Sequence, residues 1–322
     1  MAQDSVNRDT ANREAWQRLC GSEPVLKDIL SAEEALPGMT TNLVLTSGPP
    51  MDWEQYTGGQ RDAIIGGALF EGLASDRGDA ERKLRTGEIQ VAGCHDYGCV
   101  GSLAGIYTAS MPVFVVENQT LGNIGYCNMY EGTNPRRLNY GVYDAGVRER
   151  LLFVNAVVAP VIGEAVRLAG GIPLKPIMKR ALHMSDELHS RSTAAALLFT
   201  RELFLPLLDL AADGRDRVQK AIVAMTEDHY FFLRLSMAAA KATADAAHGI
   251  EGSSMVTAMA FNCRNFAIRV SGLGDQWFIG PQATVQASLF NGHTEDEITW
   301  MGGESTITET VGLGGFAQAA AF

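Results

Sequence analysis

Residues 88–118 read EIQVAGCHDYGCVGSLAGIYTASMPVFVVEN. Two apolar runs, EIQVAG and MPVFVVEN, have the density of buried strands, and the glycine-bounded stretch CHDYGCVGSLAG separates them. Upstream, TNLVLTSG (Thr41–Gly48) is a third such run and stops at a GPP turn. Between them, QRDAIIGGALFEGLA (Gln60–Ala74) places Ile64, Ile65, Leu69 and Leu73 at helical spacing. Strands alternating with helices over residues 41–118 predict an α/β unit. The first 40 residues read as polar and helical, ending near LPGM.

Beyond Asp144 the texture changes. DAGVRERLLFVNAVVAP, the segment from Ser185 to Leu205, and EDHYFFLRLSMAAAKATADAAHG are long helical patterns separated by Gly or Pro. From Gly252 the strand signal returns, with SMVTAMAFN and NFAIRVSG arranged as a hairpin. A Gly-rich tail follows. The fold class predicted is α/β, with mixed α/β domains and a small helical domain in the middle. The expected divisions are an N-terminal α/β domain over 1–180, a helical domain over 181–250 and a C-terminal β-rich α/β domain over 251–322.

A chain of 322 residues is longer than one core usually holds, which fits two or three domains. Its formal charge of -11 excludes a nucleic-acid partner, because nothing offsets phosphate repulsion. It permits a small anionic substrate, which needs only local positive charge. LLFVNAVVAPVIG (Leu151–Gly163) contains Asn and Pro and falls short of the roughly 20 residues of a membrane span. No membrane partner is expected. The polar start lacks the apolar core of a signal peptide. Five scattered cysteines suit reduced thiols, so the expected location is the cytoplasm.

HMSDELHSRS (His183–Ser192) concentrates proton-capable groups. On a helix starting near Ser185, Asp186 and His189 share one face, and Glu187 and Arg191 share the next. Such a stretch is a capped helix start with a surface Glu–Arg pair, a histidine base tuned by a carboxylate, or equally a metal ligand, although nothing in the spacing forces a metal and it is not the HExxH arrangement. In the loop GCHDYGCVG, His95 and Asp96 can move a proton, and the glycines let backbone approach a ligand. Cys94 and Cys99 are possible nucleophiles, although buried inert thiols are commoner. The C-x4-C spacing lacks a second pair, so no metal is expected, and no P-loop or Rossmann fingerprint calls for a cofactor. Glu117 and Asn118 end a buried strand. Glu309 sits among threonines before a Gly-x-Gly-Gly turn, where turn chemistry alone is the rival reading. Arg269, in FAIRVSG, shares a strand face with Ala267 and is placed to fork onto a carboxylate or phosphate. The rival there is a structural ion pair with Glu304 or Glu309.

CHDYGCVGSLAG, SMPVFVVEN, HMSDELHSRSTAA, FFLRLSMAAAKA, GSSMVTAMA, RVSGLGDQWF and TITETVGLGGFA occur in this order. Together they resemble the bacterial YahG/YlbE (AllG) family, which includes a subunit of oxamate carbamoyltransferase. The likeness runs from Gly38 to the last residue. It implies carbamoyl or ureido chemistry: carbamoyl phosphate and oxamate giving oxalurate and phosphate, or the reverse. It also implies a complex with two sibling subunits, or a homo-oligomer. His95, Asp96, Asp186, Glu187, His189 and Arg191 are then the expected catalytic groups, with His95 and His189 facing one cavity. Cys99, Glu117, Asn118, Ser253, Ser254, Arg269 and Glu309 are the expected substrate contacts. The other readings are an amide or ureide hydrolase on this scaffold and a non-catalytic subunit. Family members carry Ala where this chain has Cys99, and Pro-Met where it has Ser102 and Leu103. They also continue past the Gly-rich tail, whereas this chain ends at AQAAAF within an apolar helical pattern. Either the chain is short, or another chain supplies the missing surface.

Overall fold

Three sheets organise the chain in a computed structural model that describes residues 7–129, 131–283, 288–289, 291–298 and 301–320. Helix α1 (Arg8–Gly21) opens with Asn7, whose side chain accepts from the N–H groups of Asp9 and Thr10. Strand β1 (Pro24–Ser31) and a short capped turn, α2 (Ala32–Ala35), follow. Strand β2 (Leu43–Thr46) leads through α3 (Gly58–Phe70) and α4 (Arg77–Thr86) to β3 (Gln90–Gly93). Strands β2 and β3 pair in parallel, so this stretch is the predicted strand–helix–strand unit.

The expected helical character of the first 40 residues is overturned at β1. PVLKDILS lies inside the five-stranded sheet, ordered β4 (Cys99–Val100), β6 (Ile124–Asn128), β5 (Pro112–Asn118), β1, β7 (Ile172–Pro173). A register shift between Leu26 and Asp28 breaks the period-two signal. Lys27 and Asp28 then avoid burial without partners by pairing with Glu117 and Arg167. MPVFVVEN is a strand as predicted, but it joins this sheet and not the β2–β3 pair.

The helices α5 (Ala145–Phe153) and α6 (Ala159–Leu168) run together through a π turn at Val154–Val158. Pro160 contributes no N–H, and the wider turn lies directly before it. The joined helix, Ala145–Leu168, is therefore longer than expected. Its 24 residues make it long and apolar enough to cross a membrane, while half of its most apolar window is buried in the fold. Helices α6, α7 (Leu174–His183) and α10 (Phe231–Ala246) pack on the five-stranded sheet, with α8 (Thr193–Glu202) and α9 (Phe204–Glu227) beyond them. One apolar cluster joins sheet residues Leu26, Phe114 and Val116 to Val161, Ile162, Phe199, Phe232 and Leu235 of the helices. Helix α10 comes close to the sheet at Gly125, where a Cβ would lie 2.4 Å from the Ala238 carbonyl oxygen.

The predicted hairpin is β8 (Val256–Phe261) and β9 (Asn265–Val270), extended by β10 (Phe278–Pro281). Two short helices, α11 (Ile307–Thr310) and α12 (Gly315–Ala320), end the described chain. The last two residues of AQAAAF lie outside the described residues.

Candidate functional site

At the C-terminal end of β3 the chain turns through Cys94–Tyr97 and presents His95. Opposite lies the C-terminal half of α10, which contributes Lys241 and Asp245, one helical turn apart. The hairpin adds Thr257, Ala258 and Arg269, and neighbouring loops add Gly98, His248 and Asp275. These nine residues line a cavity of about 320 Å³.

His95 and Lys241 are almost wholly buried. The Lys241 Nζ lies 3.2 Å from His95 Nδ1 and 2.8 Å from Asp245 Oδ1. Burial first, and then the charges of Lys241, Arg269 and His248, hold His95 well below the usual imidazole range. It is therefore neutral near pH 7. Lysine can only donate, so Nδ1 is the acceptor and Nε2 carries the proton. That buried Nε2 has no hydrogen-bond partner among the described residues. A buried donor without a partner costs free energy unless a ligand or water accepts from it.

Arg269 closes the rim. It contacts Asp96 Oδ1 at 2.5 Å and donates from Nε to the Asp275 carbonyl at 3.0 Å. Its guanidinium sits 4.2 Å from the Trp277 ring centroid. The expected partner, Glu304 or Glu309, is thereby replaced by Asp96, because β9 lies beside the His95 turn. His248 contacts Thr257 Oγ1 at 2.7 Å. The cavity thus gathers four nitrogen-bearing side chains, His95, Lys241, His248 and Arg269, with the carboxylates of Asp245 and Asp275 beside them.

Glu304 lies behind the same turn. Its carboxylate accepts from the N–H groups of Gly48 at 2.9 Å and Gly101 at 2.8 Å. Gly48 has φ 98°, and a Cβ there would come 2.6 Å from Asn262, so only glycine fits. Burial pushes Glu304 up to about 8, although the two N–H donors and Lys241 oppose it. A carboxylate from the C-terminal segment therefore clasps the turns that follow β2 and β4, and the end of β2 is one of the parallel-strand ends where α/β folds commonly bind ligands.

The stretch from Ser185 is not a helix. Ser185 and Leu188 take positive φ, 69° and 42°, and α8 begins only at Thr193. Leu188 is fully buried, which draws the loop inward. Asp186 and His189 accordingly do not share a helix face. Asp186 instead accepts from the Ala195 N–H at 2.7 Å, in the first turn of α8. Arg191 is exposed, and no ion pair joins it to Glu187 among the described residues. His189 Nδ1 lies 2.8 Å from Glu309 Oε1, and its Nε2 lies 2.9 Å from Ser305 Oγ. One ligand atom each of Glu187, His189 and Glu309 fall within 4.8 Å of one another, a trio that no spacing in the sequence announced. Burial raises Glu187, and Glu309 adds to the rise.

His95, Asp96 and Arg269 are therefore brought together, and His189, Glu187 and Glu309 form a second cluster. His189 does not line the His95 cavity. Cys99 points its thiol to the Cys94 carbonyl in the core. Glu117 pairs with Lys27, and Asn118 spends its amide on Glu23, Ser22, Thr120 and Asn123. Ser253 and Ser254 bind Asn12 of α1. None of these five lines the cavity. Ser102 is buried and Leu103 has φ 55°, so the departure from the family pattern falls in a constrained turn.

Sequence reasoning missed Lys241, Asp245, His248, Thr257 and Asp275. A signal existed for the first two: a lone Lys–Asp pair at i, i+4 inside the alanine run AAAKATADAA marks charge on a buried helix. A larger cavity, about 470 Å³, lies between Met129, Phe153, Val158 and Phe231. Its buried carboxylates are already engaged, Glu131 by the Leu138 N–H and Asp228 by the Tyr230 N–H. Arg150 also lines it, with a buried Nε that lacks a partner among the described residues, but the smaller cavity gathers His95, Lys241, His248 and Arg269 around one space and is the better candidate.

Among known proteins, residues 89–305 match the family model described as oxamate carbamoyltransferase subunit AllG. The chain is 40% identical over 311 residues to the uncharacterized protein YahG of Escherichia coli K12, covering 97% of this chain and 66% of YahG. It is 37% identical over 313 residues to the oxamate carbamoyltransferase subunit AllG of the same organism, covering 97% of this chain and 74% of AllG. The chain thus spans about two thirds to three quarters of these relatives. A crystal structure of a conserved protein of unknown function from Enterococcus faecalis V583 superposes with a TM-score of 0.92 at 36% identity, over 98% of this chain and 75% of that one. On these matches the chain belongs to the AllG family, named for a subunit of oxamate carbamoyltransferase.

Proposed function

We propose that this protein is a subunit of a carbamoyl-transferring enzyme and that the His95 cavity receives its small anionic amide or ureide substrate. The observation that carries this reading is the unpartnered, buried His95 Nε2–H, backed by Lys241 and flanked by Arg269. Attack on a carbamoyl or ureido carbon develops negative charge on oxygen. A pre-oriented donor in a water-poor cavity stabilises that charge without reorganising, and removing one such donor costs about 10²–10³ in turnover. Lys241 and Arg269 supply the local positive charge that a chain of net charge -11 otherwise lacks. The candidate reaction joins oxamate and carbamoyl phosphate to give oxalurate and phosphate, or runs in reverse.

Leu197, Phe204, Leu205 and Leu208, near the α8–α9 corner, are each more than half exposed. Such surface suits contact with other chains, in keeping with a multi-subunit enzyme. The test is phosphate-dependent oxalurate breakdown by this protein, alone and mixed with the products of neighbouring genes. The expected result is turnover that His95→Ala lowers at least about a hundredfold. Full turnover by a folded His95→Ala variant would remove the cavity from the chemistry. Phosphate-independent ureide hydrolysis would favour the hydrolase reading instead.

A further inference from the structure

The second cluster has a polarity that its two carboxylates alone do not convey. His189 is held at both ring nitrogens: Nδ1 by Glu309 Oε1 at 2.8 Å and Nε2 by Ser305 Oγ at 2.9 Å. Glu309 is itself fixed from the far side, since its Oε2 accepts the Phe316 N–H at 3.2 Å. A carboxylate only accepts, so the imidazole proton sits on Nδ1. The Nε2 lone pair then faces the Ser305 hydroxyl. The imidazole sits on a loop that buried Leu188 anchors, with the Leu188 carbonyl accepting from Ser236 Oγ at 2.6 Å. Its own side chain stays 23% exposed, so a substrate can approach, while Glu309 is only 5% exposed.

We infer that Ser305 is a nucleophile activated by His189 and Glu309, acting on an activated acyl or carbamoyl ester. The order is that of nucleophile, base and orienting carboxylate, each within hydrogen-bond reach of the next. Ser305 Oγ forms a bond to the carbonyl carbon as its proton passes to His189 Nε2. The bond from that carbon to the leaving oxygen breaks, and the leaving oxygen takes the proton. Water, or a nitrogen acceptor, then displaces the serine and restores the hydroxyl. The inference is independent of the His95 cavity, which neither His189 nor Ser305 lines. Its readout is a covalent adduct and not carbamoyl transfer.

The test treats the full chain with p-nitrophenyl diethyl phosphate and follows nitrophenolate release, intact mass and peptide mapping. The expected result is one diethylphosphoryl group on Ser305, lost in Ser305→Ala and formed about 10²-fold or more slowly in His189→Gln. A second variant guards against misfolding. In Ser305→Cys, alkylation of residue 305 by iodoacetamide should titrate below the ordinary thiol value of about 8.5. It should return to that value when His189→Gln is added. No adduct on Ser305 together with an ordinary thiol titration would overturn the inference. So would one divalent metal ion per chain, lost in Glu187→Gln, with Ser305 unlabelled, because the trio of Glu187, His189 and Glu309 would then belong to a cation.

Discussion

His95 is a one-way hydrogen-bond group because its neighbours decide its protonation. Burial keeps it neutral and Lys241, next in weight, keeps Nδ1 an acceptor. Lys241→Met removes that charge while Asp245 retains access to water. The His95 imidazole should then titrate at higher pH than in the wild type, as read from its ring-proton NMR shift. An unchanged titration would mean that Lys241 does not face it. Arg269 has two donors already spent, on Asp96 and on the Asp275 carbonyl, and a face on Trp277. Lysine cannot reproduce that fork. Arg269→Lys should therefore lower the melting temperature, at a cost of about 1–3 kcal/mol for the orphaned groups. A strong rise in KM with an unmoved melting temperature would assign Arg269 to substrate grip instead.

Among the elements, the loop before α8 shows a residue type doing a different job from the one its spacing implied. Asp186 serves as a remote cap for α8, reaching Ala195 N–H from nine residues upstream. Removing a helix cap costs about 0.5–2 kcal/mol. Asp186→Ala should lower the urea midpoint by that order, and Asp186→Asn should recover most of it. Turnover per folded molecule should stay unchanged in both, since the Asp186 carboxylate is committed to the helix. Loss of turnover in a stable Asp186→Asn protein would return the residue to the chemistry.

In the whole molecule, Glu304 ties the C-terminal segment to the turns that follow β2 and β4. Its folded value, about 8, lies above its ordinary 4.5. Between those limits the folded chain holds a proton that the unfolded chain has released. Stability should thus fall as pH rises through that window, by at most about 1.4 kcal/mol per pH unit from this group. In Glu304→Gln the slope contributed by residue 304 should vanish. The variant should also be less stable at low pH by about 1–3 kcal/mol, because an amide NH2 cannot accept from the second of the two glycine N–H groups. Urea titrations at pH 5 and pH 8 check both points, and equal slopes for wild type and variant would show that Glu304 stays ionised.

The sequence by itself determined the strongly periodic and uniformly apolar elements: β2, β3, β5, α3, α10 and the β8–β9 hairpin. Their side-chain patterns follow from local geometry, with period 2 on strands and 3.6 on helices. The same local reading reached His95 and Asp96, because a polar turn between two buried strands is conspicuous. It failed at β1, whose bulge and two paired charges broke the pattern, and at Ser185–Ser192, where buried Leu188 overrode a plausible helix start. Pairings across the chain were decided only by tertiary structure. His95 meets Lys241 over 146 positions, Arg269 meets Asp96 over 173, and His189 meets Ser305 over 116. Spacing carries no information about such contacts. They exist because α10 packs against Gly125, which sets Lys241 facing the turn after β3, and because Glu304 clasps Gly48 and Gly101, which holds the adjacent Ser305 against His189 in the loop before α8.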